Sequence, residues 1–261
     1  MHRNHKVMLL FVLFYLPFQA GAWGTLGHRI VGQIADTYLS PKARVAIRSI
    51  LGNESLAMAS NWADFIKSDT TVHYDNWHYI DLKAGFSYDK LQAYLKNDAD
   101  TDAYTRLQFL TAELKKKQLP AAEKLFCLRM LIHIAEDLHQ PLHVREEEKG
   151  GNDIRVQWFS DHTNLHSVWD SKLIDNQQLS YTEYATAINH PTAAQRAAWQ
   201  KEPLSRWIFD SYTIATPILA EITHADQRLS YRYNYDHLGT LNTQLVKGGV
   251  RLAGLLNDIF K

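Results

Sequence analysis

Cysteine is nearly absent. Cys127 is the only one among 261 residues, so no internal disulfide can form and no cluster of thiolates can hold a metal. A lone cysteine on an apolar helical stretch reads as a small core filler. Net charge is absent too, with 28 Lys+Arg against 28 Asp+Glu. A protein that holds a polyanion by general phosphate neutralisation carries an excess of base, so polyanion binding here must rest on a local feature such as bound cations. No His-Glu-x-x-His metalloprotease signature occurs, no compact His-rich tract of the carrier type, no activated Ser or Cys constellation, and no internal repeat.

Long apolar runs are also missing beyond the start of the chain. Arg3 and Lys6 form a basic segment, Val7–Phe18 is apolar, and Ala20-Gly21-Ala22 offers small residues for cleavage. The apolar run is too short for a membrane span, which takes about twenty residues. Met1–Ala22 therefore reads as a signal peptide, with Trp23 as the first mature residue. Removing Arg3 and Lys6 leaves the mature chain mildly acidic.

Hydrophobic residues make up 46% of the sequence, enough for one large domain with a sizeable core. Helical periods run over Arg29–Leu39, from Ser40-Pro41 to a stop at Gly52, over Tyr88–Asn97 and over Asp102–Gln118, the last closing on Lys115–Lys117. Pro120 opens a long helix through Leu125, Leu128 and Ile132, and Tyr181–Asn189, Leu204–Ile222 and Tyr235–Ile259 follow as scaffold. Only Ile154, Val156 and Trp158 alternate as a strand, which makes Lys149–Asn152 a hairpin tip or a site loop. The pattern predicts a mainly α, single-domain helical fold with a short β-hairpin.

The chemistry-bearing residues gather around Leu131–His143. His133 and Asp137 are four apart and share a helix face, and Pro141 ends the helix so that His143 points in a new direction. His166 and Asp170 repeat the spacing. On their own such pairs are more often surface contacts than metal sites. Asp64 and Lys67 share another face and would serve equally as an ion pair. Around His78, alternation puts His78 and Ile80 on one side and Tyr79 and Asp81 on the other, where a tyrosine beside a carboxylate could hold a flat, hydrogen-bonding ligand such as a nucleobase. Cleavage before Trp23 would free an α-amine that can chelate a cation together with its own carbonyl, with His28 nearby. Trp23, His28, Asp64, His78, His133, Asp137, His143, His166 and Asp170 are too many ligands for one four-coordinate zinc and suit three if one carboxylate bridges.

In this order, the terminal Trp with His five residues on, Trp-Ala-Asp, His-Tyr-Ile-Asp, His-x3-Asp-x5-His, Gly-Gly-Asn-Asp and His-Ser-Val-Trp-Asp resemble the S1/P1 nucleases. These are exported trinuclear zinc enzymes that cut single-stranded DNA and RNA and remove 3′-phosphates from nucleotides. The motifs cover Trp23 to about Asp170, and the rest matches in length and helical pattern. The resemblance implies that residues 23–261 form one trinuclear zinc nuclease domain with the phospholipase C/P1 nuclease-like fold. It implies one Zn2+ on Asp64, His78, His133 and Asp137, a second on His143, His166 and Asp170, and a third on the amine and carbonyl of Trp23 with His28, sharing Asp137. It further implies that Asp64 orients the attacking water, that Lys67 and Asn152 bind phosphate, and that Tyr79 with Asp81 holds the base 5′ to the cut. A metal pair activating water needs no protein nucleophile.

There are departures. Lys67 supplies a point charge and not the bidentate fork of an arginine. Secreted eukaryotic members carry disulfides, which this chain cannot form, so a bacterial-type exported monomer, periplasmic or secreted, is expected. Asn53-Glu54-Ser55 is an isolated sequon. His139 is expected at the surface or just behind the ligands, and His73, His162, His190, His224 and His237 carry no assigned role. A zinc phospholipase C is the alternative enzyme, but it has a longer gap between terminal Trp and first His and a Glu as last ligand. A non-catalytic zinc-binding protein is the alternative from another class.

Overall fold

The computed structural model describes residues 23–69, 71 and 73–261; the expected signal peptide, Met1–Ala22, lies outside them. The chain folds mainly as α-helices with one small sheet. In chain order come α1 (Thr25–Thr37), α2 (Pro41–Leu51), α3 (Leu56–Ala59), α4 (Trp62–Ile66), a 3-10 turn at Asp75–His78, α5 (Tyr88–Lys96), α6 (Ala103–Leu114) and α7 (Ala121–Asp137). Local chemistry sets several of these boundaries. Ser40 Oγ accepts from the Ala43 N–H at 3.2 Å, Pro41 starts α2, and Gly52 ends it with φ of 66°. α6 runs to Leu114 with Lys115 as its C-cap, so the lysines stand at its end, where Lys115 and Lys116 pair with Asp258 and Glu113.

α7 is the axis of the molecule. From Cys127 to Asp137 almost every residue is buried, as expected of a helix wrapped on all sides. Pro141 heads a 3-10 turn over Pro141–Val144, which carries His143 away from the α7 axis. Next comes α8 (Glu148–Gly151), whose residues all have positive φ. β1 (Arg155–Trp158) and β2 (Asp161–Asn164) then form the expected hairpin. One continuous helical stretch follows, in three pieces: α9 (Leu165–Ser167), a π-turn at Val168–Lys172, and α10 (Leu173–Asp175). The π-turn contains Asp170, an extra residue per turn of the kind that re-aims a side chain at a site.

The remainder is scaffold: α11 (Tyr181–Ile188), α12 (Ala193–Trp199), α13 (Leu204–Ala220), β3 (Gln227–Leu229) and α14 (Tyr231–Ile259). β3 runs parallel to β1 and completes the order β2-β1-β3; three residues are too few to show an alternation in sequence. α14 begins at Tyr231, four residues ahead of the predicted Tyr235, and its first turn buries Tyr233. α1 packs closely on α14, where a Cβ on Gly249 would lie 2.5 Å from Ile34 Cγ2. No helix among the described residues is long and apolar enough to cross a membrane.

Candidate metal centre

Asp137, at the last turn of α7, lies at the centre of the polar cluster and is wholly buried. Its Oδ2 is 3.1 Å from His133 Nε2 and 3.0 Å from His78 Nδ1, and its Oδ1 is 3.5 Å from His28 Nε2 and 3.4 Å from His143 Nδ1. One carboxylate thus faces four imidazoles from four segments. α1 supplies His28, α7 supplies His133 one turn before Asp137, and the two 3-10 turns supply His78 and His143. Asp64, from α4, closes the cluster at 3.7 Å from His133 Nε2. Beyond His143, whose Nε2 is 3.5 Å from Asp170 Oδ1, the α9–α10 stretch brings in His166, with Nε2 3.2 Å from Asp170 Oδ2.

The side chains fall into three groups able to hold a cation: His28, His133 and Asp137; Asp64, His78 and His133; and His143, His166 and Asp170. Buried ligand atoms are normally hydrogen-bonded, yet His28 Nε2, His78 Nε2, His143 Nε2 and Asp137 Oδ1 are buried without a partner. Nitrogen and carboxylate oxygen atoms converging with their hydrogen-bonding capacity unspent fit divalent cations. Four of the groups stand in the protonation state a metal needs; at His133 and His166 burial lowers the imidazole, but the facing carboxylates of Asp137 and Asp170 outweigh it and raise both. Burial holds the imidazoles of His28 well below their usual value and His78 at about 4, so both are neutral. Burial alone would raise Asp64, but His133 and the Lys67 ammonium hold it down at about 2, and His133 and His143 likewise keep Asp137 ionised against its burial. Neutral imidazole and ionised carboxylate are the forms that bind metal.

The far ring nitrogens are anchored on the protein. His133 Nδ1 lies 2.5 Å from the Ser60 carbonyl, His166 Nδ1 is 2.7 Å from that of Gly150, and His143 Nδ1 is 3.2 Å from that of His78. Gln140 Nε2 donates to Asp170 Oδ1 at 2.6 Å. Trp23 is wholly buried; its indole N–H donates to the Glu136 carbonyl at 3.1 Å, and the next N–H, of Gly24, donates to that of Asp170 at 2.8 Å. The chain therefore enters the fold against segments that carry two of the carboxylates.

His78, His143 and His166 of the cluster reach a cleft of about 350 Å³ that Lys67, Tyr79, Asp81 and Asn152 also line. Lys67 sits 2.9 Å from Asp64 Oδ1, so the ordinary ion pair does form, at the cleft wall. The expected alternation holds at Tyr79–Asp81: His78 and Ile80 point inward, Tyr79 and Asp81 outward. Tyr79 and Asp81 also line an adjoining recess with Asn76, Tyr94 and Asp102. Lys149–Asn152 is a site loop and not the hairpin tip, which falls at Phe159 and Ser160.

His139 needs correction. It is wholly buried, with Nε2 3.1 Å from an Arg251 nitrogen, and belongs to the core. Two residues that sequence reasoning passed over, Glu136 and Ser60, are fully buried next to the ligands. The only signal for Glu136 was its place inside the central motif, where a glutamate on a helix looks solvated.

A buried set of five imidazoles and three carboxylates under an open cleft defines a helical protein built to hold several cations where a substrate can reach them. The comparisons with known proteins narrow this class. The family model described as S1/P1 Nuclease matches residues 23–261, and the chain belongs to that family. It is 30% identical to Endonuclease 2 of Arabidopsis thaliana, over 98% of this chain and 97% of that one. It is also 30% identical to Nuclease P1 of Penicillium citrinum, over 91% and 97%, and 29% identical to Nuclease S1 of Aspergillus oryzae, over 91% of each.

Proposed function

We propose that this chain is a zinc-dependent endonuclease that hydrolyses single-stranded DNA and RNA to products with 5′-phosphates and removes 3′-phosphates from nucleotides. The observation that carries this reading is Asp137, one buried carboxylate surrounded by four imidazoles with its Oδ1 unpartnered. In the assignment we favour, Asp64, His78, His133 and Asp137 hold one Zn2+, His143, His166 and Asp170 a second, and Trp23 with His28 a third that shares Asp137. Three zinc ions in these positions supply Lewis acidity and a water that ionises near neutral pH.

The chain's own groups do the rest. Asp64, held ionised, accepts a hydrogen bond from the attacking water and fixes its direction. The Lys67 ammonium, already at the cleft wall, can swing from Asp64 to a phosphate oxygen. The Asn152 amide, which donates to the Lys149 carbonyl at 2.9 Å, also lines the cleft and can turn to the same group. Tyr79 offers its ring for stacking, and Asp81 accepts from a base N–H. Burial and the nearby Glu146 carboxylate raise Asp81, so it favours a ligand that brings donors. We read the protein as exported, periplasmic or secreted, and monomeric, with Met1–Ala22 removed.

The test is zinc content per mature chain, with single-stranded DNA hydrolysis followed before and after chelation. About three zinc and release of 5′-phosphorylated products only by the loaded form are expected. Three zinc without cleavage of nucleic acid would favour a phospholipase C-type phosphodiesterase or a non-catalytic zinc protein. A form with one extra residue ahead of Trp23 should hold one zinc fewer and lose most activity; equal zinc and equal turnover would remove the amine from the ligand set.

A further inference from the structure

His28 differs from His133, His143 and His166 in what holds its Nδ1. His133, His143 and His166 each rest Nδ1 on a main-chain carbonyl. His28 Nδ1 instead lies 2.6 Å from Glu136 Oε2, and both side chains are wholly buried. Glu136 and Asp137 are consecutive on α7 and point about 100° apart, so one imidazole is held between two adjacent carboxylates. The other oxygen of Glu136 is 2.7 Å from Ser60 Oγ, and the Ser60 carbonyl is the anchor of His133. The Glu136 carbonyl receives the indole N–H of Trp23. A single residue thus fixes His28, supports the anchor of His133 and holds the chain entry.

We infer that Glu136 is a positioning residue for one cation position in particular, the one served by His28 and the first mature residue. An imidazole can give a lone pair to a cation from Nε2 only if Nδ1 carries the proton, and a carboxylate acceptor fixes that tautomer while making Nε2 a stronger donor than a carbonyl acceptor does. Glu136 therefore acts most directly on the His28 position; its acceptance from Ser60 Oγ, which a glutamine keeps, supports the Asp64–His78 position, and the His143–His166 position has its own anchors. This inference rests on the zinc reading above and deepens it.

The experiment compares the mature wild-type holoprotein with Glu136→Gln, titrating zinc against a chromophoric chelator and measuring thermal unfolding after full chelation. The expected result is that one of three zinc ions weakens by about 10–100-fold, while the other two stay at wild-type affinity and the chelated variant unfolds no lower than chelated wild type. Three zinc at wild-type affinity would overturn the inference, as would equal weakening at all positions together with a less stable chelated protein, the signature of a packing role. Nitrogen NMR of the wild-type holoprotein gives a measurement independent of the variant's folding: His28 should carry its proton on Nδ1, and a proton on Nε2 would overturn the inference. Wild type that binds no zinc would instead overturn the proposed function itself, and is seen before any variant is made.

Discussion

Two buried polar clusters meet near the C-terminal end of α7, and they are built in opposite ways. At the back, Arg251 is wholly buried on α14 and fully partnered: one guanidinium nitrogen is 2.6 Å from both Glu202 and Asp210, another is 3.1 Å from His139 Nε2. Lys247 adds a second cation 2.9 Å from Asp210, and His139 Nδ1 meets the Ala135 carbonyl at 2.8 Å. At the front, Asp137 and the imidazoles around it leave ligand atoms unpartnered. Both clusters bury charge at a cost. The back cluster meets that cost with groups of its own chain; the front one is complete only with cations. Satisfaction, and not burial or charge, separates a structural network from a site.

The largest test strikes the centre of the front cluster. Asp137→Asn keeps the volume and removes the charge that four imidazoles share, so single-strand hydrolysis should fall by about 10³-fold or more and zinc content should drop. The chelated variant should lose less stability than Arg251→Met does, since Oδ1 of Asp137 has no partner and only its Oδ2 is met, by His78 and His133. Zinc analysis, a hydrolysis assay and melting curves in chelator check all three. A chelated variant far less stable than chelated wild type would mean that the front cluster is structural after all.

Arg251→Met reverses the pattern. It strands Glu202, leaves Asp210 with Lys247 alone, and should cost about 3 kcal/mol, with the folded fraction keeping its full zinc content. It should also change the response to acid. Burial pushes Asp210 up, but hydrogen bonds from Lys247 and Arg251 outweigh this and hold it below the usual carboxylate range. A depressed folded pKa contributes stability that is present above the ordinary carboxylate value and is lost as pH falls through the folded one. Urea unfolding between pH 6 and pH 3 should therefore show a shallower loss in Arg251→Met than in wild type.

How far the sequence discloses this contrast depends on which forces set each feature. His133, Asp137, His166 and Asp170 are legible because the helical period alone puts each pair on one face, and Ser40, Pro41 and Gly52 are legible because capping is local. His139 is not. It has the same spacing from Ala135 as Asp137 from His133, and only the approach of Arg251, 112 residues away, makes it a core residue. Glu136 is hidden for the same reason, its partners being His28 and Ser60 at separations of 108 and 76 residues. β3 exists only because β1 offers it an edge.

A smaller effect is expected where the front cluster leans on the backbone. The Gly150 carbonyl anchors His166, and Gly150 has φ of 61° with a Cβ position 2.5 Å from the Leu142 carbonyl. Gly150→Ala meets both a left-handed backbone and a rigid obstacle, so it should cost about 1–3 kcal/mol and weaken zinc at the His143–His166 position. Lys149, with φ of 50° and a side chain 77% exposed, has no such obstacle; Lys149→Gly should relieve about 1 kcal/mol of strain without touching the metals. Denaturant midpoints and zinc titrations on the two variants separate the effects.

The smallest effect sharpens the rule, because one unpartnered buried carboxylate oxygen lies outside the front cluster. Asp98 Oδ2 has no partner of its own, yet no imidazole gathers around it. Its neighbour Asp102 caps α6, with Oδ1 2.9 Å from the Thr105 N–H, and burial together with Asp98 pushes Asp102 up to about 7. The missing partner of Asp98 is thus the proton that Asp102 holds. A carboxyl raised in the folded state favours folding below its ordinary value, and that contribution is lost as pH rises from about 4 to about 7. Asp102→Asn keeps the cap, since asparagine caps as well as aspartate, and gives Asp98 a permanent N–H donor. The variant should be more stable than wild type by about 1 kcal/mol at pH 8, with the difference vanishing by pH 4, as urea midpoints at the two values would show. A difference that persisted at pH 4 would mean that this proton is not the partner of Asp98, and that an orphaned carboxylate can stand in this protein without either a cation or a proton to complete it.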